Sequence, residues 1–192
     1  MQQLQIAVSF LGVVVAALGA GFGLFQYRKN QIWRETEFLA TQAKSFYENP
    51  NVRIALKILD WQTRKIELTP GRNTVVTRDV LRSALGHGRD AVNALPDDAT
   101  PGGARFSPEE AILRDIFDDL FSSLERFEQF IKAKVIAFHQ FQPYFRYWAD
   151  VLNGGRPQIL DQQMVDTLWA FMRAYGYDDA MSLLKRFQAA GD

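Results

Sequence analysis

Five carboxylates, Asp115, Asp118, Asp119, Glu125 and Glu128, crowd the stretch EEAILRDIFDDLFSSLERFEQFI. Paired carboxylates of this kind could bind Mg²⁺ or serve as general acid and base. Their spacing argues for a different use. On a helix Asp115, Asp118, Ser122 and Glu125 share one face, opposite an apolar stripe. Arg114 stands four residues before Asp118, and Glu128 four before Lys132, which is the spacing of solvated ion pairs. Di-metal helical bundles use inward Glu residues and a Glu-x-x-His motif, whereas Glu128 is followed at i+3 by Ile131. The expectation is a solvated acidic face; a metal-dependent enzyme using that face is the alternative.

Other chemistry is thinly supplied. The chain has no Cys, which removes disulfides, thiolate metal sites and Cys nucleophiles. Its two histidines are His87, in a Gly-rich turn, and His139, between Phe138 and Phe141, where a capping or core-edge role is expected. Gly86-His87-Gly88 lacks the Gly-x-x-x-x-Gly-Lys spacing of a phosphate loop. Asp60-Trp61 and Tyr147-Trp148 could stack on a ligand, but aromatics at helical spacing usually belong to a core. No catalytic, cofactor-binding or metal-ligating residue is assigned, and the chain reads as a non-enzyme without a cofactor.

What positions these residues is organised around Ile6 to Phe25, IAVSFLGVVVAALGAGFGLF, twenty residues without a charge. A hydrocarbon core of roughly 30 Å needs about twenty apolar residues in a helix, the one single-segment form that satisfies its own backbone there. MQQLQ lacks the basic start of a cleaved signal, and the apolar run exceeds an h-region. Arg28, Lys29 and Arg34 follow at once, so the positive-inside rule puts the C-terminal side in the cytoplasm and the N-terminus outside. Tyr27 and Trp33 suit the interface. Gly12, Ala16, Gly19 and Gly23 fall on one helical face that would admit a second helix, a route to an oligomeric or channel-like assembly.

No Gly or Pro interrupts residues 24–49, so the helix is expected to continue to about Tyr47, standing ~30 Å above the bilayer, until Pro50 stops it. Ile32, Leu39 and Phe46 continue an apolar step of seven and are expected to pack on the chain's own domain. Asn51 should cap VRIALKILDWQ, with Val52, Leu56, Leu59 and Trp61 inward. RKIELT and NTVVT, joined by Pro70-Gly71-Arg72, read as a hairpin. Thr77 or Asp79 can cap DVLRSAL, and residues 86–106 hold the breakers of a long loop.

Ser107-Pro108-Glu109-Glu110 carries a capping box with Pro at N1, opening a central helix to about Phe138. Its inner face is Leu113, Phe117, Leu120, Leu124, Phe127 and Ile131, widened by Ile116 and Phe121. Pro143 marks a break before PYFRYWADVL, and Leu160 to Tyr175 and Asp178 to Ala189 close the chain as a helical pair. Net charge is zero, yet residues 28–89 carry 12 Lys/Arg against 6 Asp/Glu and residues 90–192 carry 10 against 16. The halves are expected to neutralise one another on folding, and no dense one-sided basic cluster points to nucleic acid.

WRETEFLATQAKSFYENPNVRIALKILDW, EEAILRDIFDDLFSSLERFEQFI, PYFRYWADVL and AYGYDDAMSLLKRF, behind an uncharged span, resemble a family of uncharacterised bacterial single-span membrane proteins with a cytoplasmic helical domain. The resemblance implies the bacterial inner membrane and no particular activity. The organisation expected is therefore an anchor (1–27), a juxtamembrane helical extension (28–48) and a mainly helical, bundle-like domain with a small hairpin (49–192). The function expected is a single-pass membrane-anchored interaction or adaptor protein. Its partners would be the lipid bilayer and a protein or a second copy of itself.

Overall fold

The computed structural model describes the backbone of residues 2–69, 71–86 and 106–191, with the side chains of residues 2–17, Thr69 and Arg72 outside the described set. The chain is mainly helical with one small hairpin: α1 (Gln2–Glu48), α2 (Pro50–Asp60), β1 (Thr63–Thr69), β2 (Arg72–Thr77), α3 (Arg78–Gly86), α4 (Pro108–Lys132), α5 (Phe138–Leu152), α6 (Gln162–Tyr175) and α7 (Asp178–Ala189). It divides into two compact units, Met1–Thr41 and Gln42–Asp192.

In the first unit α1 runs without a break, as the lack of Gly and Pro after residue 24 requires. Leu18, Phe22, Leu24, Phe25, Tyr27, Ile32 and Trp33 are all exposed. Ile32 therefore departs from the expected packing series: it is 59% exposed, whereas Leu39 and Phe46 are buried. Among the described residues no helix is long and apolar enough to cross a membrane. The expected span Ile6 to Phe25 falls, for residues 6–17, on side chains outside that set.

The second unit is built on α4. Its apolar stripe is Leu113, Ile116, Phe117, Leu120, Phe121, Leu124 and Phe127, all buried, and it packs on α2, α3, α7 and β1. Phe46 closes one end of this core, edge to face with Phe127 and Phe145 at 5.8 and 5.7 Å. Phe141 stacks on Phe127 at 4.4 Å, and α5 and α6 complete the layer around α7. Aromatic pairs in these geometries add about 0.5–1.5 kcal/mol each beyond their buried area.

Caps set most boundaries. The box at α4 forms as the sequence dictates: Ser107 Oγ accepts the Glu110 N–H at 3.2 Å, and the Glu110 carboxylate accepts the Ser107 N–H at 3.0 Å. Thr77 Oγ1 accepts the Val80 N–H at the start of α3. At α2 the expected cap shifts by two residues. Asn49 Oδ1 accepts the N–H groups of Asn51 and Val52, with Pro50 at the first helical position, where its missing N–H costs nothing. Trp61 also departs from expectation: it lies past the end of α2, 54% exposed, beneath the Arg64 guanidinium at 5.1 Å.

The hairpin is antiparallel, pairing Thr63 with Thr77 and Lys65 with Val75, with an irregularity between Glu67 and Thr69. Gly71 takes φ +76 and donates its N–H to Glu67 Oε1 at 2.6 Å. Pro70 and residues 87–105 lie outside the described residues, and with them His87 and most of the expected long loop.

The central helix is shorter than its apolar pattern implied. It ends at Lys132, because Lys134 takes φ +57 and the Lys134 and Val135 N–H groups turn back to the carbonyls of Ile131 and Phe130. This is a Schellman closure with lysine where glycine is usual. Phe138 accordingly opens α5 instead of closing α4. Pro143 lies inside α5, not at a break: it and His139, whose carbonyl it leaves without a helical N–H, are both on the exposed side.

Candidate functional site

Three of the five carboxylates in the acidic series on α4, Asp118, Asp119 and Glu128, hold the fold together. Asp119 Oδ2 accepts from Asn51 Nδ2 at 2.8 Å, tying α4 to α2. Asp118 Oδ1 accepts from the Tyr177 hydroxyl at 2.7 Å, at the entrance to α7. Burial pushes the Asp118 carboxyl above its ordinary range, against the pull of that hydrogen bond and of Arg114. Burial likewise raises Glu125, and burial with the Asp118 contact holds the Tyr177 phenol well above its ordinary value.

Glu128 corrects the sequence reading most sharply. It is not solvated beside Lys132 but completely buried, with both oxygens accepting from Arg186 Nε at 2.9 and 3.0 Å, and Oε1 also taking the Ser182 hydroxyl at 3.2 Å. Lys132 pairs with Asp179 instead. Both Glu128 oxygens are thus taken up by Arg186, with Ser182 donating to the same carboxylate. Asp115 alone of the series is fully on the exposed side without a hydrogen-bonded partner among the described residues. Among those residues no three His, Asp or Glu side chains group so as to hold a metal ion.

Two buried arginines went unanticipated as structural elements. Arg78 donates to the carbonyls of Ile58, Leu59 and Ile159 at 2.8–3.1 Å, so it satisfies the open end of α2 and ties it to the segment before α6. Burial lowers its affinity for its proton. Arg114 donates to the Ala84 carbonyl near the end of α3 at 2.6 Å, among the rings of Phe106, Phe171 and Tyr175, each within 5.0 Å of its guanidinium. Cations at helix C-termini favour both the free carbonyls and the dipole. Arg114 was expected to pair with Asp118 along the helix; its position in the sequence gave no sign of the aromatic enclosure.

A cleft of about 620 Å³ opens beside the C-terminal ends of α5 and α7, lined by Arg146, Tyr147, Asp150, Arg156, Phe187 and Gln188 among others. Arg156 Nε donates to Asp150 Oδ2 at 2.7 Å, and its guanidinium lies 4.8 Å from the Tyr147 ring centre. The Tyr147 hydroxyl donates to Asp60 Oδ1 at 2.7 Å, which holds the phenol above its ordinary value. The Asp60 and Tyr147 that stood out in the sequence are thus brought together at this rim, while Trp61 turns to Arg64. A smaller polar recess of about 130 Å³ lies among Gln42, Asn49, Asp119, Ser122, Ser123 and Arg126.

His139 is exposed in the first turn of α5, not at a core edge. Of the small-residue face, Gly12 and Ala16 lie among residues whose side chains are not described, and a Cβ added at Gly19 or Gly23 would meet nothing within 4 Å. Comparison of the chain with protein-family models, with curated proteins and with solved structures gave no match.

Proposed function

We propose that this chain is a membrane-tethered interaction module, held by a single N-terminal span in the bacterial inner membrane, with the N-terminus outside and the helical unit in the cytoplasm. The observation that carries the reading is the exposure of Leu18, Phe22, Leu24, Phe25 and Tyr27, each at least 64% accessible. Burying such side chains is worth about 1.5–3 kcal/mol apiece, so five left in water forgo on the order of 10 kcal/mol. They continue the uncharged run that begins at Ile6 and stop at Arg28 and Lys29. Lipid covers such a surface on every side at once. The helical unit, which offers no catalytic constellation among its described residues, would then present its surface to a protein partner at the bilayer.

Fractionation of cells expressing the full chain tests the anchor: it should stay with membranes through a carbonate wash and leave them in detergent, and release by carbonate would overturn the reading. Because the chain lacks Cys, Gln3→Cys and Lys185→Cys report orientation cleanly. An impermeant maleimide should label the first in intact spheroplasts and the second only after lysis. Crosslinking in membranes followed by purification should recover a stoichiometric partner or a second copy, and a lone monomer would defeat the adaptor half of the proposal. Self-association through Gly12, Ala16, Gly19 and Gly23 is the second reading, favoured by the open space at Gly19 and Gly23. Gly19→Leu with Gly23→Leu should abolish any self-crosslink formed that way.

A further inference from the structure

We propose that the cleft between the C-terminal ends of α5 and α7 is a receptor for a small organic oxyanion, a carboxylate or a phosphate ester carried on an apolar or ring body. The inference stands apart from the membrane reading. Its first support is the way Arg156 is held. Asp150 takes its Nε, the Tyr147 ring lies against its guanidinium, and Asp60 fixes Tyr147 by the hydroxyl. The terminal nitrogens of Arg156 have no acceptor among the described residues, so a positioned two-donor fork is left open at the cleft. That fork matches the two oxygens of a carboxylate or phosphate.

The backbone is shaped to permit this arrangement. α5 ends in a Schellman closure with Gly154 at φ +82, and the Gly155 N–H returns to the Asp150 carbonyl at 2.9 Å. A Cβ on residue 155 would come within 2.0 Å of Asp150 Oδ1, so glycine is what lets the carboxylate sit where it orients Arg156. Arg146 supplies the second cation. It stands four residues before Asp150 yet does not pair with it, since Asp150 is committed to Arg156, and it has no hydrogen-bonded or ionic partner among the described residues.

The lining therefore offers two guanidinium groups against one carboxylate that is already engaged. Tyr147 and Phe187 give apolar wall and Gln188 an amide. The volume lies in the range of small-ligand sites, roughly 300–1,000 Å³.

The test is a titration of the full chain in neutral detergent, with the arginine Nε–H signals followed by NMR. The probes are phenyl phosphate, benzoate and inorganic phosphate. Saturable shifts at Arg146 and Arg156 with phenyl phosphate or benzoate are expected; whichever binds more tightly assigns the oxyanion, and inorganic phosphate should bind more weakly for want of a ring. Arg146→Gln, an exposed change that leaves the fold alone, and Arg156→Gln should each weaken binding by at least about tenfold, the scale of one lost charge-assisted contact. Arg156→Lys should fall between, and Arg173→Gln, on α6, should change nothing. Absence of saturation with both ring probes, or equal affinity in Arg146→Gln and the unaltered chain, would overturn the proposal.

Discussion

Two long helices of this chain use apolar residues in opposite ways. Along α4 the stripe from Leu113 to Phe127 is buried to the last few per cent, with Phe117, Phe121 and Leu124 wholly covered. Along residues 18–33 of α1 they point in every direction and are exposed: Phe22 at 64%, Phe25 at 66% and Trp33 at 69%. A one-sided stripe answers to a protein core, and the exposed apolar residues of α1 have no such cover among the described residues. The polar residues divide along the same line. Asp118, Asp119 and Glu128 of α4 are drawn into contacts with other elements, whereas Arg28 and Lys29 follow directly on the apolar run.

The strongest way to break this contrast is to truncate one phenylalanine in each helix. Phe121→Ala should cost the helical unit about 3–5 kcal/mol, since the ring is fully enclosed and contacts Phe117, Phe171 and Tyr177. Phe22→Ala should leave the unfolding midpoint of that unit within about 0.5 kcal/mol of the parent, the usual scale for an uncovered site. Chemical denaturation in detergent, read by tryptophan fluorescence, compares the two directly. Equal losses would mean that the α1 apolar surface is covered by protein.

The next largest effect sharpens what the acidic residues do. Arg186→Ala leaves Glu128 charged and sealed, and should destabilise by about 3 kcal/mol, at the low end for a broken buried pair because the Arg186 side chain is itself 43% exposed. Replacing both residues by Leu should restore most of the loss, because an apolar pair needs no compensation there. If the single variant melted like the parent, Glu128 would be a solvated residue after all.

Ser107→Ala probes a boundary and should cost about 1 kcal/mol, since it removes the hydroxyl that takes the Glu110 N–H. That boundary was also the most legible point in the sequence of the second unit. A cap, a proline and a returning carboxylate are all local, so four residues announce the start of α4. The stripe from Leu113 to Phe127 was readable for the same reason, being a repeat along a single element. The end of α4 was not, since it depends on Lys134 adopting a conformation that glycine usually marks. Glu128 and Lys132 show the deeper limit: spacing on one helix names the nearest partner, but Arg186 and Asp179 come from α7 and compete successfully. Arg78, Arg114 and the contact of Tyr147 with Asp60 were hidden likewise, because each joins elements distant in the chain.

The smallest expected effect is the most specific to how α4 treats its carboxylates. Burial raises the Asp118 pKa in the folded chain, so ionising it is harder folded than unfolded. The sign follows by linkage: the stability it lends is complete below the ordinary carboxyl value and is lost as pH rises through the raised one. Asp118→Asn keeps an oxygen to accept from Tyr177 and carries no charge to desolvate. At pH 7 it should therefore match or slightly exceed the parent, by no more than about 0.5 kcal/mol. The variant's stability should vary less with pH across the acidic range above 3.8, where the parent loses this contribution. Tyr177 gives the complementary limb. Its phenol is held protonated in the fold, so that contribution persists below the ordinary phenol value and disappears as pH climbs into the strongly alkaline range. Denaturant midpoints collected for parent and variant across both limbs measure the pair. A parent profile that kept its full slope in Asp118→Asn would place the titration elsewhere on α4, with the raised Glu125 as the next group to replace.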